Sequence, residues 1–134
     1  MLLRVTVSTS VSQPLTHRTV LANGLTVLVA ENPVADIVAA RIFVRAGTGR
    51  ELRSQAGLFN LLAALLTKGA ADLSSMDIAE QVESVGASLG TDASADYSLL
   101  SLKTVSDDFA EMLALAGKIL RFPTLSQAEF DLER

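Results

Sequence analysis

Side chains able to do chemistry are few in this chain of 134 residues. It has no cysteine, which excludes a thiol nucleophile, a disulfide framework, an iron–sulfur cluster and a cysteine zinc site. His17 is the single histidine, whereas a catalytic zinc site without cysteine most often takes at least two histidines. We therefore expect no metal or other cofactor in this chain, and a partly exposed, structural His17 beside the start of a strand.

Asn60 is the polar side chain that most needs an explanation. It lies within residues 56–70, a run dominated by alanine and leucine that predicts one helix ending near Gly69. Apolar residues occur on every side of this helix, so we expect it to be buried, although it is far shorter than the roughly 20 residues that cross a bilayer. Because a buried amide must be hydrogen-bonded, we interpret Asn60 as a satisfied core amide, with a role in holding peptide as the alternative.

The composition excludes some partners and favours others. Hydrophobic residues make up 49% of the chain and charged residues 19%, below the average of about 25% for soluble domains. The mean hydropathy is +0.38, and we expect some apolar surface to meet a partner. The formal net charge of -4 gives no electrostatic reason to expect nucleic acid or an anionic membrane surface.

The first residues show no targeting signal. Residues 1–10 alternate like a strand and have neither a long apolar segment nor a small-residue cleavage site. We interpret residues 1–14 as a flexible arm or an extra edge strand, and we favour a cytoplasmic location.

Strands are predicted at both ends of the helical run. Asn23-Gly24 lies between β-rich segments and predicts a type I′ hairpin with strands at 17–22 and 25–31. A third strand is predicted at 36–46, with one face turned toward the core, made of Val38, Ala40, Ile42 and Val44. Residues 87–93 and 97–105 read as a second hairpin, whose first strand is polar and suits a sheet edge.

Three further helices are predicted, each with a serine as N-cap. They run from Ser74 to Gly86, from Ser106 to about Arg121, and from Ser126 onward. The last of them has no C-cap, so we expect the chain to end inside an element of a longer protein. The order β-β-β-α-α-β-β-α-α predicts an α+β fold, with a mainly antiparallel sheet and helices packed on one face.

Several short motifs follow one another along the chain. They are Leu-Ala-Asn-Gly-Leu-Thr-Val at 21–27, Arg-Ala-Gly-Thr-Gly-Arg-Glu at 45–51, Ala-Gly-Leu at 56–58, Lys-Gly-Ala at 68–70, Val-Glu-Ser-Val-Gly-Ala at 82–87, and Phe-Asp-Leu-Glu-Arg at 130–134. In this order they resemble the pitrilysin-like metallopeptidases, the family of insulinase and the mitochondrial processing peptidase. The resemblance covers nearly the whole chain from about Leu15, so that residues 15–134 are interpreted as an incomplete N-terminal domain of that family.

This resemblance implies a zinc endopeptidase fold that has lost its metal site here. The family's inverted signature, His-x-x-Glu-His, places its first histidine at Asn60, its glutamate at Ala63 and its second histidine at Ala64. The third zinc ligand would lie beyond Arg134, on the helix that begins at Ser126. Asparagine is a poor zinc ligand and alanine can neither coordinate metal nor move a proton, so the resemblance implies a chain without catalytic power of its own.

The same resemblance implies a peptide-binding role for the polar edge strand. In the family, substrate lies along this strand as an added strand, which places peptide against Leu89, Gly90, Thr91 and Asp92. Gly90 stands where the family often has asparagine. A plain sheet edge covered by a partner is the alternative.

Three functions follow from these observations. The first is a non-catalytic subunit that helps to form the peptide-binding chamber, while a catalytic peptidase subunit supplies the zinc ion and the general base. Self-association of this chain as a homo-oligomer is the alternative form of assembly. The second is a structural subunit resembling the core proteins of the respiratory cytochrome complex, with no peptide handling. The third is an active zinc endopeptidase with an unusual metal site.

Overall fold

The computed structural model describes residues 15–32 and 34–133, so the arm predicted at 1–14 lies outside the described residues. The chain divides into two compact units, Met1–Ala35 and Asp36–Arg134. Within the described ranges, no helix is both long enough and apolar enough to span a membrane.

The first unit contains an antiparallel hairpin of β1 (Thr16–Val20) and β2 (Thr26–Ala30). The predicted type I′ turn is wrong, because only Gly24 in the loop has positive φ, at +84°, and a type I′ turn requires two such residues. Instead, Leu21 and Leu25 close a three-residue loop: the Leu21 N–H donates to the Leu25 carbonyl at 2.9 Å, and the Gly24 N–H donates to the Leu21 carbonyl at 2.9 Å. A left-handed glycine at the third position is typical of this longer loop.

The second unit confirms the predicted order of elements and adds one short hairpin. Its elements are β3 (Ile37–Val44), α1 (Leu58–Leu66), β4 (Gly69–Ala70), β5 (Leu73–Ser74), α2 (Ser75–Ser84), β6 (Ser88–Ala93), β7 (Ser98–Val105), α3 (Phe109–Arg121) and α4 (Gln127–Glu133). Strands β3, β7 and β6 form an antiparallel sheet with β7 in the centre. The hairpin of β4 and β5 was not predicted.

Helices cover one face of this sheet, as the predicted α+β fold requires. Alternate residues of β7 are buried, and they pack with the buried side of α3; the set comprises Leu100, Leu102, Met112, Leu115, Ala116 and Ile119. Val38, Ala40 and Ile42 of β3 are half-buried on the same face, whereas Val44, at the strand end, is 46% exposed. The core therefore lies between the central strand and α3.

The predicted helix starts are correct to different degrees. α2 has a complete capping box: the Asp77 N–H donates to the Ser74 hydroxyl at 3.2 Å, and the Ser74 N–H donates to the Asp77 carboxylate at 2.8 Å. Ser106 does not cap α3, because it begins a 3-10 turn over Ser106–Asp108 that leads into the helix. The Ser126 hydroxyl accepts from the Glu129 N–H at 3.3 Å before α4.

The α2 cap gives a pH-dependent prediction. The Ser74 hydroxyl, followed by the Ser74 N–H, donates to the Asp77 carboxylate and lowers its pKa below 3.8. A lowered pKa contributes stability that is present above the unfolded value and is lost as the pH falls through the folded one. We expect the difference in free energy of unfolding between the native chain and the Asp77→Asn variant to shrink below pH 3.8, as measured by urea denaturation. Parallel pH profiles for the two chains would contradict this account.

Candidate functional site

Helix α1 is shorter than predicted. It covers Leu58–Leu66 rather than 56–70, and Thr67 ends it. Gly69 belongs to β4 and pairs with Ser74, so the prediction that it terminates the helix is wrong. The chain leaves the helix to form the short β4–β5 hairpin, in which Ala70 also pairs with Leu73. The carbonyl of Gly69 in addition accepts from the Thr124 N–H at 3.0 Å, a contact between distant parts of the sequence.

The N-terminus of α1 is capped by Glu51, a role that the sequence analysis missed. Its two carboxylate oxygens accept from the Gly57 N–H at 2.8 Å and the Phe59 N–H at 2.7 Å. Gly57 itself has φ of +94° and provides no side-chain cap. A carboxylate at this position also opposes the partial positive charge of the helix start. Because the glutamate lies six and eight residues before its two donors, no local capping pattern reveals it.

The loop before this cap packs closely against the turn between β6 and β7. The Thr48 N–H donates to the Ser94 carbonyl at 2.8 Å, and the Gly49 N–H donates to the Ala95 carbonyl at 2.9 Å. A Cβ added at either Gly47 or Gly49 would lie 2.8 Å from the Ala95 carbonyl oxygen, closer than real Cβ contacts. These two glycines therefore allow the main chain of residues 47–49 to pack directly against the main chain of residues 94 and 95.

The three positions of the family motif have different environments on α1. Asn60 is exposed, so its interpretation as a buried core amide is wrong, and its side chain forms no hydrogen bond within the described part of the chain. Ala64 is half-buried one turn further on, and Ala63 is only 5% exposed. Asn60 and Ala64, four residues apart, share a face of the helix, while Ala63 points toward the interior.

Ala63 lies over the edge strand and beside a small cavity. Its carbonyl accepts from the Thr91 hydroxyl of β6 at 2.6 Å, which fixes α1 across this strand. Its methyl group, with Phe59, Leu62 and Leu66, lines one wall of an apolar cavity of about 170 Å³. The opposite wall comes from β3, β7 and α3.

This set of donors does not fit a zinc ion. Asn60 offers one amide oxygen, a weak zinc ligand, and the two alanines offer nothing. In the ranges 15–32 and 34–133, no three histidine, cysteine, aspartate or glutamate side chains are placed to hold a metal together. His17 lies in the hairpin of the first unit, exposed, with its Nε2 3.6 Å from a Glu31 carboxylate oxygen.

Strand β6 forms an edge of the sheet, as predicted. It pairs with β7 on one side, and no strand of the described chain pairs with its other side. Leu89 and Thr91 point to the helix-covered face, while Gly90 and Asp92 point to the opposite face. Of these four predicted peptide-binding residues, only Asp92 is exposed. The structure thus brings this edge and α1 together through Thr91 and Ala63.

Comparison with known proteins identifies the family to which the chain is similar. The model of the insulinase family (peptidase family M16) matches residues 26–134. The mitochondrial-processing peptidase subunit beta of Blastocladiella emersonii is 27% identical over 121 residues, which cover 90% of this chain and 26% of that protein. The protein of the same name from Rattus norvegicus is 28% identical, with 90% of this chain and 24% of that protein covered. The chain thus spans about a quarter of the length of these curated relatives.

Two solved structures have a similar fold. A protease from Helicobacter pylori superposes with a TM-score of 0.81 at 21% identity, over 90% of this chain and 29% of that chain. A peptidase M16 inactive domain from Pseudomonas fluorescens superposes with a TM-score of 0.77 at 25% identity, over 84% of this chain and 28% of that chain.

Removal of the Glu51 cap should weaken α1. Glu51→Ala loses two charge-assisted hydrogen bonds, and we expect it to lower the free energy of unfolding by about 1–2 kcal/mol in urea denaturation. Glu80→Ala is the matched control, since it removes the same charge from an exposed position on α2. Equal effects of the two substitutions would contradict the capping role.

The shared helix face of Asn60 and Ala64 can be tested by restoring ligands there. The double variant Asn60→His with Ala64→His places two imidazoles one turn apart, an arrangement that binds zinc. We expect it to bind zinc more tightly than the single variant Asn60→His in isothermal titration calorimetry. Equal zinc affinity of the single and double variants would show that the two positions do not converge on one ion.

Proposed function

Since the chain belongs to the insulinase family (peptidase family M16), we propose that it is a non-catalytic subunit of a zinc processing-peptidase-like complex. In this role it helps to form a chamber that holds peptide. A partner subunit that retains His-x-x-Glu-His supplies the metal and the general base.

The observation that carries the proposal is that α1 is well supported but lacks the zinc ligands and the general base of a peptidase. α1 is capped by Glu51 and fixed to β6 through Thr91, so the support for a metal site is retained. Asn60, Ala63 and Ala64 occupy the positions where the family has its ligands and base, and none of them can activate water. A helix that keeps its structural contacts but lacks side chains able to bind metal or activate water favours a role in assembly or binding.

The free edge of β6 supports the peptide-binding part of this role. An edge strand presents unpaired N–H and C=O groups, and an extended peptide can add to it as a further strand. At one end of this edge Asp92 is exposed, and its Oδ1 accepts from the Ala93 N–H of the same strand at 2.8 Å, so this donor already has a partner. Main-chain hydrogen bonds along Leu89–Asp92 would hold peptide without selecting a particular sequence.

The similar proteins agree with a subunit role. The two curated relatives are named as a subunit of a processing peptidase, and the Pseudomonas fluorescens structure is named as an inactive domain. A two-subunit arrangement also provides a partner for the apolar residues exposed on the second unit, such as Leu58 on α1 and Leu132 on α4, at 48% and 79% exposure.

Reconstitution of cleavage tests this function. The chain is mixed with a homologous subunit that retains His-x-x-Glu-His, and hydrolysis of a fluorogenic peptide is followed. We expect no cleavage by the chain alone and faster cleavage by the mixture than by the homologue alone. Complex formation with unchanged cleavage would support the purely structural alternative, and cleavage by the isolated chain that a chelator abolishes would overturn the proposal.

The role of the β6 edge can be tested without mutating the chain. A fluorescein-labelled casein peptide is titrated and its anisotropy measured, beside the same peptide N-methylated at alternate residues. We expect the unmodified peptide to bind and the methylated one to bind weakly, because N-methylation removes the donors that an added strand needs. Amide signals of Leu89–Asp92 should shift in NMR spectra on binding, and equal affinity for both peptides would exclude strand addition.

A further inference from the structure

The tip of the hairpin in the first unit holds an asparagine that is followed directly by a glycine. Asn23 and Gly24 are both exposed, and a Cβ added at Gly24 would meet nothing within 4 Å. The Asn23 side-chain oxygen accepts from the Leu25 N–H at 3.1 Å, which holds the amide over the main chain that follows it. Such a bond two residues along the chain is a common asparagine turn.

This arrangement places an electrophile next to a nucleophile. The side-chain carbonyl carbon of an asparagine can be attacked by the backbone nitrogen of the following residue, because the two are joined by a short stretch of chain. The hydrogen bond from Leu25 draws electron density toward the carbonyl oxygen and makes the carbon more electrophilic. Glycine has no Cβ to obstruct the approach of its nitrogen.

We propose that Asn23 is a site of spontaneous deamidation. The Gly24 nitrogen forms a bond to Cγ of Asn23, the bond from Cγ to the side-chain nitrogen breaks, and ammonia leaves with the proton that Gly24 has given up. The product is a five-membered succinimide. Water then opens this ring at either carbonyl, which gives aspartate or isoaspartate, and no oxidant or reductant takes part.

The other asparagines of the chain serve as internal controls. Asn32 precedes Pro33, whose nitrogen carries no hydrogen and cannot become the nucleophile. Asn60 precedes Leu61, whose N–H donates to the Gly57 carbonyl at 3.0 Å within α1. Since the sequence contains only these three asparagines, reaction should be confined to Asn23.

One hydrogen bond of the hairpin slows the reaction. The Gly24 N–H donates to the Leu21 carbonyl at 2.9 Å, so the loop must open before the nitrogen can attack. We therefore expect the folded chain to react more slowly than the unfolded one. Conversion adds one negative charge at the tip, and isoaspartate also lengthens the main chain by one methylene in a loop of fixed geometry.

Peptide mapping by mass spectrometry tests this inference. The native chain is incubated at neutral and at mildly alkaline pH, in parallel with the chain unfolded in urea. We expect aspartate and isoaspartate at residue 23, formed faster at the higher pH because the attacking nitrogen must lose its proton. In the native chain we expect no conversion at Asn32 or Asn60. Asn23→Gln should remain unmodified at this position, since its longer side chain would need a larger ring.

Complete conversion of the unfolded chain while the native chain stays intact would overturn the proposal, as would equal conversion at all three asparagines.

Discussion

A carboxylate bound to two backbone N–H groups fixes the start of the helix around which the candidate site is arranged. Glu51 provides this contact, and α1 needs it because a helix of nine residues is shorter than the roughly 12–15 that are marginally stable alone in water. Just beyond its other end, Lys68 pairs with Glu133 of α4 at 2.7 Å. The helix is thus anchored at both ends by contacts that involve no metal.

These anchors explain how the scaffold of a metallopeptidase persists without metal-binding side chains. The structural contacts of α1 come from Glu51, from Thr91 and from apolar side chains that face the sheet. None of them uses the side chain of Asn60 or Ala64. The side chains of Asn60 and Ala64 can therefore differ from those of a metal site while the main support of the helix stays in place, which is the state that the proposed function requires.

The sequence predicted those features whose cause is local. The capping box of Ser74 and Asp77 spans four residues, and alternation along β7 identifies its buried side directly. The Glu51 cap and the β4–β5 hairpin depend on contacts between distant residues, so no short pattern reveals them. Apolar residues surround Asn60 on the helical wheel and predict a buried side chain. Asn60 itself is nevertheless exposed, while Ala64 on the same face of α1 is half-buried. At the candidate site, the edge position of β6 was predictable, whereas the environment of each side chain on α1 was not.

The close packing of Gly47 and Gly49 on the turn between β6 and β7 has an evolutionary consequence. The turn contributes the carbonyl oxygens of Ser94 and Ala95. The side chain of Ala95 takes no part in this contact, whereas the Ser94 hydroxyl is hydrogen-bonded to the main chain of Tyr97 within the turn. The two glycines cannot take a side chain, since a Cβ at either would collide with main chain. The two sides of this contact should therefore differ in how far their sequence can change: residue 95 is free to vary, whereas positions 47 and 49 are constrained to glycine.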